Sequence, residues 1–399
     1  MFGVFMIKKV LLLVLFLFVA CNNKDNLDKN QENTENIENN YIDTNQNALP
    51  ETITTTTTTV KSDGDYNEWF SPYTFMKNDN GSMAQLALND MVLPEYNIAQ
   101  FRFTYIDENL IKTYFYSNAT IDNDGADMYA QSDTGYTIRG NYYNKKFTIT
   151  TKIDEVDISA SDFISAVSYN YLYTNSSQND SLGNGSTFFY KDSIFVIIPK
   201  DTNNLEVYDK ITLDINNNID NIVRDERLWL KNETLPFFEK AMSDFYNDWY
   251  TNSDFNYEYI AGKDILYFND TTISINSYSS IYMGGAHGVY NNTSLVYSLK
   301  DGEKISITNL IKDFKDEKLR ISMKSKLLSI SDRTEEDYLV PLDEITLEDT
   351  SFYVYKDGIH FVWPIYTITA YVQGETEIVY SFDEIRPFVN EEYLYILEE

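Results

Sequence analysis

The chemistry open to this chain is limited by its side chains, for 399 residues carry only two histidines, His287 and His360, and one cysteine, Cys21. His287 stands in Tyr282-Met-Gly-Gly-Ala-His-Gly288, between stretches that alternate as strands do. Gly284, Gly285 and Gly288 can take positive φ or admit a neighbouring backbone, so the segment is expected to form a tight, shaped turn from which His287 projects. Three roles compete for such an imidazole: a structural residue bonded to backbone or to a tyrosine, a recognition residue on an exposed rim, and a catalytic base or metal ligand. Structural zinc needs four close ligands, and a site using His287, His360 and two carboxylates would require their hairpins to be neighbours. A serine nucleophile would need this histidine and an acid brought to it, yet no G-x-S-x-G elbow precedes a helix. No P-loop or dinucleotide fingerprint occurs, and no pair of acids is singled out for glycoside hydrolysis. The reading is therefore of a binding protein with no catalytic residue, no metal site and no cofactor. Its candidate contacts are Tyr282, Gly284, Gly285, His287, Gly288, Tyr290, Asn291 and His360. A structural envelope protein without a dedicated ligand and a hydrolase built on His287 stay open as alternatives.

The elements that must position these residues are legible in the hydrophobic pattern. Alternation from Ile98 through Phe101, Phe103 and Tyr105, and again at Phe147 and Ile149, predicts an antiparallel β unit. The small polar residues of 176–186 suggest a break between two domains. Leu235, Phe238, Met242, Phe245 and Trp249 share one helical face, with Thr234 as cap and Pro236 in the first turn. Strands are expected over 255–259, 265–268, 271–280 and 289–298, with hairpins turning at Asp301-Gly302 and Asp357-Gly358. A second helical part begins near Asn309 and carries Leu319, Met323, Leu327 and Ile330 on one side; a short helix starts near Ser381. The expected fold is α+β: a mostly antiparallel sheet packed by two main helices over 186–399, preceded by a smaller β-rich domain over 66–185.

Lys8 and Lys9 precede an apolar run from Val10 to Ala20 that ends at Cys21. That layout predicts a lipoprotein signal peptide over 1–20 and lipidation of Cys21. Residues 21–65, dominated by Asn, Asp, Glu, Lys and Thr, hold too little apolar surface to repay ordering and are expected to form a disordered tether. The expected location is the cell envelope, lipid-anchored, either periplasmic or surface-exposed. With 62 acidic and 31 basic residues the formal net charge is −31. Nucleic acid is therefore an improbable partner, and a basic protein would be attracted.

The stretch Tyr282-MGGAHGVYNNTSLVYSLKDGEKISITNLI, followed later by Asp357-GIHFVWPIYTITAYVQGETEIVYSFDEI, resembles an extracytoplasmic domain. That RsiV-like domain is shared by lysozyme-sensing anti-sigma factors and by the accessory region of certain peptidoglycan deacetylases. The likeness spans about 205–389 and includes Asn309-Leu310, Pro364-Ile365-Tyr366 and Ala370-Tyr371 in the expected order. It implies an α+β binding domain outside the cytoplasm, with a basic protein such as lysozyme, or peptidoglycan, as partner. By the same resemblance the contact surface would lie around 284–292, joined by loops near 356–360, with His287 a motif residue and not a catalytic one. The chain departs from that family in having no sigma-binding segment, no ordinary transmembrane helix and no deacetylase domain.

Overall fold

The computed structural model describes residues 65–398, apart from 78–81, 94–97, 108–111, 123–124, 132–136, 144–145, 152–161, 178–185, 199–203, 217–234, 250–255 and residue 332. The expected signal peptide, Cys21, nearly all of the expected tether and the Thr234 cap lie outside the described residues. Nine strands come first: β1 (Asp65–Lys77), β2 (Met83–Leu93), β3 (Ile98–Ile106), β4 (Lys112–Asp122), β5 (Gly125–Gln131), β6 (Thr137–Tyr143), β7 (Lys146–Thr151), β8 (Asp162–Ser177) and β9 (Ser186–Ile198). Helices α1 (Leu205–Ile215) and α2 (Leu235–Trp249) follow, then β10 (Tyr257–Phe268), β11 (Thr272–Tyr282), β12 (Val289–Ser298) and β13 (Lys304–Ile305). The rest comprises α3 (Ile307–Leu310), α4 (Glu317–Leu328), β14 (Ser351–Tyr355), β15 (Gly358–Trp363), β16 (Thr376–Tyr380) and α5 (Phe382–Ile385), with short 3-10 turns between them. The fold is α+β, as the pattern predicts.

Thirteen strands form one sheet in the order β13-β12-β11-β10-β9-β8-β1-β2-β3-β4-β5-β6-β7, and β14-β15-β16 form a second. The stretch 176–186, expected to separate two domains, lies at the β8–β9 hairpin, whose register reaches Ser177↔Ser186. The sheet is continuous across it. Strands β9 and β10 pair in parallel over only four residues, Phe188↔Tyr257 to Lys191↔Ile260, and the chain between them supplies α1 and α2, as a parallel crossover requires. Beyond that ladder the freed edge of β9 is satisfied from α1. Asn216 Oδ1 accepts from Phe195 N at 2.9 Å, Thr212 Oγ1 accepts from Ile197 N at 3.2 Å, and Asn216 Nδ2 donates to Phe195 O at 2.7 Å. These buried backbone groups would otherwise lose their partners.

The sheet curls far enough to touch itself. Gln85 Nε2 on β2 donates to Ile265 O on β10 at 2.7 Å, where the β10–β11 register shifts between Ile265 and Tyr267. Inside the curl Phe75, Met83, Phe195, Ile197, Ile211, Ile265, Ile275 and Tyr297 pack together. A second core sets Phe238 and Met242 of α2 against Tyr171, Tyr190 and Tyr257, with Phe238 stacked on Tyr171 at 5.3 Å. The third joins the small sheet to α4 through Leu319, Met323, Leu327, Phe361, Trp363 and Tyr380. Each such fully buried large side chain contributes about 1.5–3 kcal/mol. Strand β10 runs unbroken through Ala261-Gly262, where two strands are expected. At Gly262 a Cβ would lie 2.3 Å from Tyr278 Oη, so the glycine makes room for a cross-strand ring and does not mark a turn. Among the described residues no helix is long and apolar enough to cross a membrane.

Candidate functional site

The glycine-rich segment is the connection between β11 and β12, whose last pair is Ile281↔Val289. Gly284 and Gly285 hold φ of +88° and +97°, which an L side chain resists. Gly288 serves differently: a Cβ there would lie 2.9 Å from Ile281 O. Tyr282 closes the turn by donating its hydroxyl to Gly285 O at 3.0 Å, and Met283 packs against the core beneath α2. The turn is thus pinned at its base, and its tip, Gly285 to His287, is exposed.

His287 donates Nδ1–H to Gly288 O at 2.9 Å, which orients the ring. The imidazole stacks on Tyr371 with centroids 4.3 Å apart and planes 21° from parallel. Tyr371 also meets Tyr290 edge-on at 5.9 Å and Tyr366 at 5.5 Å. Tyr366 is 36% exposed and has φ of +63°, the one described non-glycine residue at positive φ. A β-carbon in that region is held only by surrounding structure. Next to Tyr371, Val372 is 89% exposed, in a 3-10 turn that ends at Gly374, φ +69°. Two sequence-distant loops therefore build one exposed aromatic and aliphatic tip. Asn291 stands at its edge, exposed, donating to Thr293 Oγ1 at 3.1 Å.

Below the rings the site turns acidic. Asn292 Nδ2 donates to Glu375 Oε2 at 3.1 Å. Burial pushes the Glu375 carboxyl up from its ordinary range and the nearby Glu377 charge adds to this, against the bonds from Asn292. The Tyr290 phenol is likewise raised, by burial and then by the Glu375 charge. Aromatic rings over a carboxylate suit the stem and charge of a cationic side chain, or a polar ligand with an apolar face.

His360 does not join the exposed tip. It lies on β15, 8% exposed, with Nε2 at 2.8 Å from Asp357 Oδ1 and Nδ1 bonded to Glu377 Oε1. Tyr353 stacks on it at 4.5 Å and Tyr355 meets it edge-on at 5.6 Å. The two imidazoles are nevertheless linked through neighbours: His287 to Tyr371, Tyr290, Glu375 and Glu377 in turn, and so to His360. Among the described residues no group of three or more His, Cys, Asp or Glu side chains could hold a metal ion. Spacing in the sequence points to neither Tyr371 nor Glu375 as a partner of the glycine turn. The signal that was present is Gly374, a turn residue fixing both.

No family model matches the chain, and no curated protein matches it. Two solved structures are similar to it. A member of the DUF3298 family from Bacteroides fragilis is 17% identical with a TM-score of 0.41, covering 57% of this chain and 97% of that one. A DUF3298 family protein from Pseudomonas aeruginosa is 12% identical with a TM-score of 0.33, covering 56% of this chain and 94% of that one.

Proposed function

We propose that this chain is an extracytoplasmic binding protein of the cell envelope, lipid-anchored through Cys21, whose tip around His287 and Tyr371 engages a partner. A basic protein such as a lysozyme is the favoured partner class, with peptidoglycan fragments next. The observation that carries the reading is the stack of exposed His287 on Tyr371. His287 is exposed on a turn whose glycines hold positive φ, and rigidly positioned loop residues of this kind are a common setting for recognition. A net charge of −31 favours a cationic partner.

The test is calorimetric titration of the full chain carrying Cys21→Ser with an animal-type lysozyme and with soluble wall fragments. An unrelated protein of similar basicity serves as control, at about 0.3 M salt so that exposed charges are screened. Saturable one-to-one binding absent from the control is expected. His287→Ala and Tyr371→Ala should each weaken it about tenfold or more, the scale of an aromatic hot spot, while leaving the melting temperature unchanged. Heat that matches the control, with none from wall fragments, would replace this reading with that of a structural envelope protein.

A further inference from the structure

Both ring nitrogens of His360 face carboxylates, and an ionised carboxylate only accepts. A neutral imidazole has one N–H to give. The observed pair of bonds therefore needs one proton more than a neutral imidazole between two carboxylates supplies. The ring cannot turn to a different partner, because Tyr353 stacks on its face and Tyr355 closes its edge. Glu377 is also held by the Tyr353 hydroxyl, which donates to Oε1 at 2.6 Å.

We propose that His360 is a proton-operated latch between the Asp357 turn and β16. Protonated, it clamps both; without the proton it can hold only one. Glu377 keeps the Tyr353 hydroxyl as a donor and is the carboxylate the neutral ring gives up, so the release falls on a strand that leads back through Gly374 to Tyr371, and the latch sets how firmly the aromatic tip is carried. This inference rests on the geometry around His360 and does not require that the tip bind anything.

The charged and titratable groups around the imidazole are few. From β16 comes Glu377, whose charge also acts on Glu375 just before the strand; from the turn comes Asp357; from β14 come Tyr353 and Tyr355. Lys77 of β1 reaches only the outer side of the cluster, over the Tyr267 ring that touches Tyr355. Lys356, beside Asp357 in the chain, donates to Asp107 O at 3.0 Å. Burial alone would lower the His360 pKa, and the bonds and charges of Glu377 and Asp357 outweigh it, so the net displacement is upward. A group raised on folding stabilises while protonated. Its contribution is whole below about pH 6.5, the value for an unfolded histidine, and is lost as pH rises through the raised folded value.

The chain has two histidines, so selective ¹⁵N-imidazole labelling of the full chain gives two spin systems, and His287→Ala identifies which is which. At pH 6.5 the His360 nitrogens should both carry protons. The midpoint should lie above the ordinary histidine value and fall by about one pH unit in Asp357→Asn, the scale for loss of one adjacent opposite charge. Above the midpoint the backbone amides of 374–380 should lose exchange protection relative to those of β11, and His360→Gln should show that loss at every pH. A His360 that is a single neutral tautomer at pH 6.5 would overturn the proposal, as would an Asp357→Asn midpoint equal to the parent's. So would 374–380 protection that is unchanged across the titration.

Discussion

A methyl group added at Gly358 would place its carbon 2.0 Å from the carbonyl oxygen of Tyr380, at φ of +148°. Neither party can move cheaply, since Gly358 opens β15 and Tyr380 ends β16 in the same three-stranded sheet, with Tyr355↔Gly358 and Ile359↔Tyr380 in register. Gly358→Ala should therefore cost about 3 kcal/mol or more, combining backbone strain with forced separation of the strands, read as a lowered midpoint in urea. Gly285→Ala is the matched control. Gly285 is exposed with φ of +97°, so strain acts there without a clash between strands, and about 1 kcal/mol is expected. Equal losses at the two sites would mean that conformational freedom, and not the close approach to Tyr380, is what Gly358 supplies. The two histidines differ likewise in what they hold together: His287 hydrogen-bonds its own neighbour's carbonyl, whereas His360 joins a turn to a strand.

Elements that carry a strong local period are the ones the sequence discloses. The β11–β12 pair, the Asp301-Gly302 and Asp357-Gly358 turns and the α4 face with Leu319, Met323 and Leu327 buried all follow from alternation, turn chemistry or helical spacing. What spacing cannot disclose is closure between distant segments. Nothing local says that Asn216 and Thr212 complete the edge of β9, that β8 and β9, on either side of the small polar residues, pair within one sheet, or that Tyr371 lies under His287. These depend on the crossover through α1 and α2 and on the packing of the small sheet against β10–β12. Tyr297 offers a measurement of one such closure. Its hydroxyl donates to Asp214 Oδ2 at 2.7 Å, tying β12 to α1, and burial followed by this bond raises the phenol far above its ordinary value. Tyr297→Phe keeps the ring in the core and removes only the bond. Because Asp214 is exposed and can return to water, a loss of about 1 kcal/mol is expected, at the lower end for bonds to charged groups. A much larger loss in denaturant unfolding would show that the α1 attachment, and with it the free edge of β9, depends on this single contact.

For the whole molecule the dominant electrostatic fact is the excess of 62 acidic over 31 basic residues. The ion pairs seen around α4, Lys324 with Glu335 and Asp343 and Lys326 with Glu384, are largely solvent-exposed on the acidic side. Each contributes about 0–1 kcal/mol, whereas repulsion among surplus carboxylates is summed over the entire surface. Screening weakens both, but the surplus is the larger quantity, so added salt should stabilise the fold. The melting temperature at pH 7 is expected to rise as sodium chloride is increased from about 10 mM to about 0.3 M, over which the screening length shrinks from about 30 Å to well under 10 Å. A fall would mean that local pairs outweigh the global field. Association with a cationic protein should respond oppositely, since the same field that strains the fold speeds the encounter, and its on-rate should drop across the same salt series. Opposite signs for melting temperature and on-rate in one buffer series would assign both to the whole-molecule charge. Whatever affinity survives at the highest salt is then owed to short-range contacts, and its loss in His287→Ala would place those contacts at the His287–Tyr371 tip.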